Sequence, residues 1–160
     1  MNKLFLITGG NLGDRLKNLG LAKKLITERL GLIEHSSKIY ETEAWGIHYQ
    51  PAFYNQVLLV KTKLSAGKVL EGILQIEEEM GRKRTVKNAA RIIDIDILFY
   101  NHDIVNEENL QIPHPHIADR RFVLLPLSEV APKFVHPVLK KNIEELLFIT
   151  GDQLKVKALL

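Results

Sequence analysis

Arg91-Ile92-Ile93-Asp94-Ile95-Asp96-Ile97-Leu98-Phe99 reads as a β-strand. Strand side chains alternate, so Ile93, Ile95, Ile97 and Phe99 share one face and Asp94 and Asp96 the other. Aspartate is depleted in strands, and such conflicts with local propensity are expected at functional sites. Two carboxylates ~7 Å apart at their Cα atoms, from a rise of ~3.3 Å per residue, can jointly grip divalent cations. Magnesium takes oxygen ligands, often one or two carboxylates together with substrate phosphates. Just upstream, Gly81 to Arg91 carries five cations and no acid. Acids for metal beside cations for phosphate is the arrangement phosphoryl transfer needs. A solvated mixed-charge surface accounts for the same residues equally well.

Outward from this strand, the chain alternates between the two periodicities. Lys3 to Thr8 is short, apolar and followed by Gly9-Gly10-Asn11, a buried strand running into a turn. Asp14 can cap a helix with Leu16, Leu19, Ala22, Leu25, Ile26 and Leu30 on its apolar side, closed by Gly31. Ser36 to Glu43 reads as a second strand, Ala44 to Ala52 as a loop, and Phe53 to Thr62 as a third strand. Ser65 can cap a second helix bearing Val69, Leu70, Ile73, Leu74 and Ile76, with Gly81 after its end. The order β-α-β-β-α-β, completed by the Asp-x-Asp strand, predicts an α+β ferredoxin-like core. Beyond it, Ile104-Val105 and Leu110-Gln111-Ile112 suggest a hairpin. Phe122 to Val130 and Asn142 to Phe148 suggest helices, and Pro113-His114-Pro115-His116 excludes a helix interior. The tail after Gly151 has no readable pattern.

Composition bounds the function classes. The 160 residues suit one domain spanning 1–160, with 46% hydrophobic and 26% charged residues. A net charge of +3 and a pI near 9.1 fit an anionic ligand without establishing one. The absence of cysteine excludes disulfides and zinc–thiolate sites. Leu4-Phe5-Leu6-Ile7 is too short for a signal-peptide core and no apolar run reaches membrane-spanning length, so a cytoplasmic location is expected.

Several short motifs carry a resemblance that covers nearly the whole chain. They are Gly9-Gly10-Asn11-Leu12-Gly13-Asp14, Tyr40-Glu41-Thr42, Phe53-Tyr54-Asn55, Glu77, Gly81-Arg82-x-Arg84 and Arg91-x-x-Asp94-x-Asp96-Ile97. Pro113-His114-Pro115-His116, Arg120-Arg121-Phe122 and Leu125-Pro126-Leu127 complete the set. Each is weak alone; their order and spacing together are specific. The chain resembles the 6-hydroxymethyl-7,8-dihydropterin pyrophosphokinases of folate biosynthesis. That resemblance implies transfer of pyrophosphate from ATP to the hydroxymethyl group of a dihydropterin, giving AMP, with two magnesium ions. Asp94 and Asp96 match the metal ligands, and with Arg82 and Arg91 they match the catalytic set. The nucleotide side falls on Glu77, Arg82, Arg84, Arg91, Ile97, Leu110, His114 and Arg120. The pterin side falls on Thr42, Ala44, Trp45, Phe53, Asn55 and Phe122. ATP and the dihydropterin are the partners implied, with no nucleic acid or membrane, and a monomer is expected. Arginine suits phosphate because its planar fork binds two oxygens at once.

The chain departs from the family pattern in three places. Asn88-Ala89-Ala90 stands where an aromatic-Gly-Pro segment usually precedes the arginine corresponding to Arg91, and Leu74 and Asn109 replace a glutamine and an arginine. Other readings exist for several motif residues. The glycines after the first strand read as a tight turn rather than a phosphate loop, since no Walker lysine follows. Phe53 and Phe122 would by default be core; the resemblance alone assigns them to a pocket. His116 reads as structural, and Glu78 and Glu79 as solvated helix face. The basic segment Gly81 to Ala90 reads as a mobile lid. A nucleic-acid-binding domain of this topology would show exposed aromatics on its central strands, where this chain puts Asp94 and Asp96. A non-catalytic regulatory domain would not need Asp94, Asp96, Arg82, Arg91 and His114 together.

Overall fold

A computed structural model of the chain describes residues 1–43, 50–83 and 90–159. Its centre is a pair of long strands, β1 (Asn2–Gly10) and β4 (Phe53–Thr62), antiparallel over their whole length. On the far side of β1 lies β5 (Asp94–Tyr100). On the far side of β4 lie β2 (Leu32–Ser36) and β3 (Tyr40–Thr42), and β3 carries β8 (Val156–Ala158). The order across the sheet is β5-β1-β4-β3-β8 with β2 also on β4, and every pairing is antiparallel. The hairpin of β6 (Val105–Glu107) and β7 (Leu110–Ile112) stands apart from this sheet.

The two faces of the sheet have different covers. Leu4, Leu6, Leu58, Val60, Ile95 and Ile97 point to one face and pack against α1 (Arg15–Arg29) and α2 (Ala66–Glu79). Asp14 caps α1 by accepting from Lys17 N at 3.1 Å, and Ser65 caps α2 through Lys68 N. Leu19, Ala22 and Ile26 of α1 and Val69, Ile73 and Ile76 of α2 are fully buried, each large one contributing ~1.5–3 kcal/mol by the burial of its side chain. Leu16 and Leu74, placed on the apolar sides by period alone, are exposed. Phe5, Ile7, Val57 and Leu59 point to the opposite face and pack against α3 (Arg121–Val130) and α4 (Ile143–Ile149). These helices cover only part of that face. Past Ile7 and Val57 the same row continues as Gly9, Asn55 and Phe53, and a cavity opens there.

Three expectations need correction, and the tail, which shows no readable pattern, has a strand of its own. The strand predicted from Ser36 to Glu43 is two strands, and the first begins at Leu32. Ser37 interrupts them: its N donates to Val57 O and its Oγ accepts from Val57 N, both at 2.9 Å, so a hydroxyl replaces a ladder bond. Phe99 does not share the face of Ile95 and Ile97. Phe5 pairs with Phe99 and Leu6 with Ile97, leaving Leu98 as an extra residue, and this bulge sends Leu98 and Phe99 both to the face of Asp94 and Asp96. Gly9 and Gly10 belong to β1 rather than to a turn. A Cβ on Gly9 would collide with the Asn55 amide, and one on Gly10 with Ile92 O; of the three glycines in this motif Gly13 alone has a left-handed φ, of 70°. The tail contains a strand, β8, whose Val-Lys-Ala shows no apolar alternation.

Candidate active site

The cavity holds about 440 Å³ and lies on the sheet face that α3 and α4 leave open. Its floor is built from strand residues of one parity: Ile7 and Gly9 of β1, Phe53 and Asn55 of β4, Thr42 of β3, and Asp94, Asp96 and Leu98 of β5. Gly9 pairs with Asn55 on one side and Asp94 on the other. The missing side chain at Gly9 is therefore what lets Asn55 lie flat between β4 and the acidic strand, with its Nδ2 donating to Thr8 O at 3.4 Å. The walls are His114, His116, Asp119 and Arg120 from the segment leading into α3, Phe122 and Val123 from its first turn, and Asp152 and Leu154 from the tail.

Asp94 is held by both arginines that flank it. Arg82 Nη1 lies 3.0 Å from Asp94 Oδ1 and also donates to Ile93 O at 2.7 Å, and Arg91 Nε lies 3.7 Å from Asp94 Oδ2. The Arg91 guanidinium also lies 4.9 Å over the Phe53 ring. Arg91 is anchored through its backbone: Asn11 Oδ1 accepts from Arg91 N at 2.8 Å, and Arg91 O accepts from Asn11 N and Leu12 N. Burial, the neighbouring Asp94 charge and Glu77 hold the Asp96 carboxyl well above the usual carboxylate range. An acidic pair that repels itself in this way fits a divalent cation. Among the described residues no group of three or more His, Asp or Glu gathers as a cage. The site thus offers the one or two carboxylates that magnesium takes when phosphates complete its shell.

His114 is a neutral donor. Burial, then Arg120 and His116, push its imidazole down to about 4. His116 N donates to His114 Nδ1 at 3.1 Å, so Nδ1 carries no proton and Nε2 does. Its own N donates to Leu98 O at 3.0 Å, which ties it to β5. Arg120 sits 5.9 Å from the Phe122 ring. At the opposite end the Thr42 hydroxyl, 4% exposed as a residue, has no hydrogen-bond partner among the described residues. A buried polar atom without a partner is costly, and this one belongs to a residue of the cavity floor.

Nine residues expected from the sequence line this one cavity: Thr42, Phe53, Asn55, Arg91, Asp94, Asp96, His114, Arg120 and Phe122. Arg82 reaches it through Asp94. Three others are placed differently. Glu77 is buried in α2, where its Oε2 accepts from Ile95 N at 2.8 Å and so braces the acidic strand from the helix side. The Ile97 side chain belongs to the core beneath α1 and α2, and Leu110 packs against that same core. Ala44, Trp45, Arg84 and most of the basic segment expected to form a lid lie outside the described residues. His116, read as structural, lines the cavity with its Nδ1 3.2 Å from Asp119 Oδ2. Asp152 and Leu154 are cavity residues that no motif in the sequence signals.

Residues 5–132 match the family described as 7,8-dihydro-6-hydroxymethylpterin-pyrophosphokinase (HPPK). The chain belongs to this family. It is 39% identical over 145 residues to the 2-amino-4-hydroxy-6-hydroxymethyldihydropteridine pyrophosphokinase of Aquifex aeolicus, a match covering 91% of this chain and 90% of that one. It is 43% identical over 138 residues to the Folic acid synthesis protein FOL1 of Dictyostelium discoideum, where the match covers 86% of this chain but 21% of the relative. A crystal structure of Plasmodium falciparum HPPK-DHPS superposes with a TM-score of 0.76 over 92% of this chain and 45% of that one; at 21% identity the likeness is one of fold. Pyrophosphokinase activity on hydroxymethyldihydropterin is the activity for which the HPPK family and its bacterial members are named, and folic acid synthesis is that for which the Dictyostelium discoideum relative is named.

Proposed function

We propose that the chain transfers pyrophosphate from ATP to 6-hydroxymethyl-7,8-dihydropterin, releasing AMP, and that the cavity between β5 and the tail is where it does so. The observation that carries this reading is the convergence on one floor of an acidic pair at one end and an aromatic-and-amide end at the other. Asp94 and Asp96 would hold two magnesium ions, as in two-metal transfer sites. Bound magnesium supplies charge neutralisation at the transferring group. Arg82 and Arg91, which flank Asp94, would offer their guanidinium groups to phosphate oxygens. His114 donates from Nε2 as a neutral group, and Arg120 adds a cation from the same wall. Asn55 offers both a donor and an acceptor to a heterocycle edge, and Phe53 and Phe122 offer faces for stacking. Nucleotide contacts at Ile97 and Leu110 would run through main chain, and Glu77 would act by bracing β5.

The same proposal takes residues 1–160 as one domain of ferredoxin-like arrangement. The strand order β5-β1-β4 with β2 and β3 outside supports this. It takes the protein as cytoplasmic, monomeric and without nucleic-acid or membrane partners; no helix among the described residues is long and apolar enough to cross a membrane. Product analysis tests the reaction: ATP and hydroxymethyl-dihydropterin incubated with the chain and magnesium should give AMP. ADP as the product, or nucleotide consumption independent of the pterin, would overturn the reading.

A further inference from the structure

The family match ends at residue 132, yet Asp152 and Leu154 line the cavity. The segment that carries them is fixed at both ends. At its far end β8 runs antiparallel to β3, with Val156 opposite Thr42, and Leu159 N donates to Ile39 O at 2.9 Å. Thr42 is in turn opposite Phe53. The tail therefore lies along the sheet edge away from Asp94 and Asp96, against the aromatic-and-amide end of the cavity. At its near end Asp152 is used twice. Its Oδ2 accepts from Arg121 N at 2.7 Å and its Oδ1 from Leu154 N at 3.0 Å. Arg121 is the first residue of α3, and Arg120, at the N-cap position, makes no side-chain cap bond. A carboxylate from the tail thus supplies the cap that α3 lacks, where a negative group is also favoured by the helix dipole. The first turn it holds is the one that presents Arg120 and Phe122 to the cavity. Between these anchors Asp152, Leu154 and Val156 are part-buried while Gln153, Lys155 and Lys157 are exposed, so period two turns Leu154 inward.

We propose that this C-terminal strap is a specificity-determining wall of the substrate site. Leu154 is a direct apolar contact for a flat bicyclic heterocycle of the pterin class, and Asp152 is the positioning residue that sets Phe122 on the ring by capping α3. The inference rests on the pyrophosphokinase reading.

The test compares KM for hydroxymethyl-dihydropterin and for ATP in the wild type, Leu154→Ala, Asp152→Ala and Asp152→Asn. Lys155→Ala, on the exposed parity, serves as control. Removing an apolar contact should raise the pterin KM of Leu154→Ala roughly tenfold with the ATP KM moving less than about twofold. Asp152→Ala should raise the pterin KM as well. Asp152→Asn should recover most of that loss, because an amide oxygen still accepts from Arg121 N. Lys155→Ala should change neither constant. A pterin KM in Leu154→Ala equal to the wild type's, or an equal rise for both substrates, overturns the proposal. A second readout is fluorescence titration with oxidised hydroxymethylpterin, which needs no turnover. If the wild type forms no AMP but binds this pterin more tightly than Leu154→Ala, the reaction assignment fails and the wall stands. If neither protein binds it, both fall.

Discussion

At the residue scale, Gly9, Asn55 and His114 make the account testable. Gly9 and Gly10 are neighbours with different neighbours of their own. An added Cβ on Gly9 meets chiefly the Asn55 amide, with the Tyr54 carbonyl at 3.0 Å, whereas on Gly10 it drives into the Ile92 carbonyl at 2.2 Å. Gly9→Ala should therefore keep most of its stability yet weaken pterin binding to the extent that Asn55→Ala does, with ATP affinity little changed. Gly10→Ala should lower stability by about 1–3 kcal/mol, the usual cost of overpacking. Thermal midpoints and KM values for both substrates separate the two; equal thermal losses would refute the distinction. His114 provides a pH signature. Its folded-state value of about 4 lies below the ordinary 6.5. Above that ordinary value both folded and unfolded chains carry it neutral. As pH falls the unfolded chain takes up the proton first, so stability is lost progressively between 6.5 and about 4, by up to roughly 3 kcal/mol. His136, also depressed by burial, loses stability in the same direction, Asp96, held above the usual carboxylate range, gains it as pH falls, and both are present in the two proteins compared. Urea midpoints at neutral and acid pH should fall less steeply for His114→Gln than for the wild type; parallel slopes would contradict the buried neutral imidazole.

At the element scale, what could be read in advance followed periodicity and capping. Phe53–Thr62 is a strand with the bounds its apolar run suggests, and both long helices begin at the caps Asp14 and Ser65. What could not be read depended on long-range pairing. Nothing local in Ser37 says that its hydroxyl will take the place of a ladder bond to Val57, and nothing in Leu98 says that it will be the extra residue of a bulge. Parity arguments hold only up to such a point, which is why alternation gives the face of Ile97 and fails at Phe99. Glu77 sits in a run of three glutamates that hides its separate role, because burial against β5 is a tertiary fact. Val156–Ala158 is a strand only because β3 offers it an edge. The Ser37 substitution has a direct consequence. Ser37→Ala leaves the buried Val57 N without its side-chain acceptor, at a cost of about 1–3 kcal/mol. Denaturant unfolding of Ser37→Ala against the wild type measures it, and an unchanged midpoint would mean that the backbone bond alone holds the break.

At the scale of the whole molecule, the sheet divides its labour between faces and between edges. One face is sealed by α1 and α2; the other is sealed at one end by α3 and α4 and open at the other. Across the open end the strands run from the acidic β5 through Gly9 and Asn55 to Thr42 and the tail, so a ligand lying over them meets carboxylates at one edge and aromatic and amide groups toward the other. The residues at the acidic edge were legible because aspartate in a strand is anomalous. Those at the tail edge were not, because Asp152 and Leu154 are ordinary residues that only the fold brings to the cavity. On the proposed reading, Asp94 and Asp96 make this cavity a magnesium-dependent pyrophosphoryl-transfer site. The most direct measurement is the rate of AMP formation from ATP and hydroxymethyl-dihydropterin, at saturating magnesium, by the wild type, Asp94→Asn and Asp96→Asn. Magnesium-dependent AMP formation is expected of the wild type, with a fall of at least about a hundredfold in each variant, the scale of removing a preorganised electrostatic group; the thermal midpoint of Asp96→Asn should be no lower than the wild type's, and that of Asp94→Asn should fall with the loss of its ion pairs to Arg82 and Arg91. Near-wild-type turnover in both variants would contradict it.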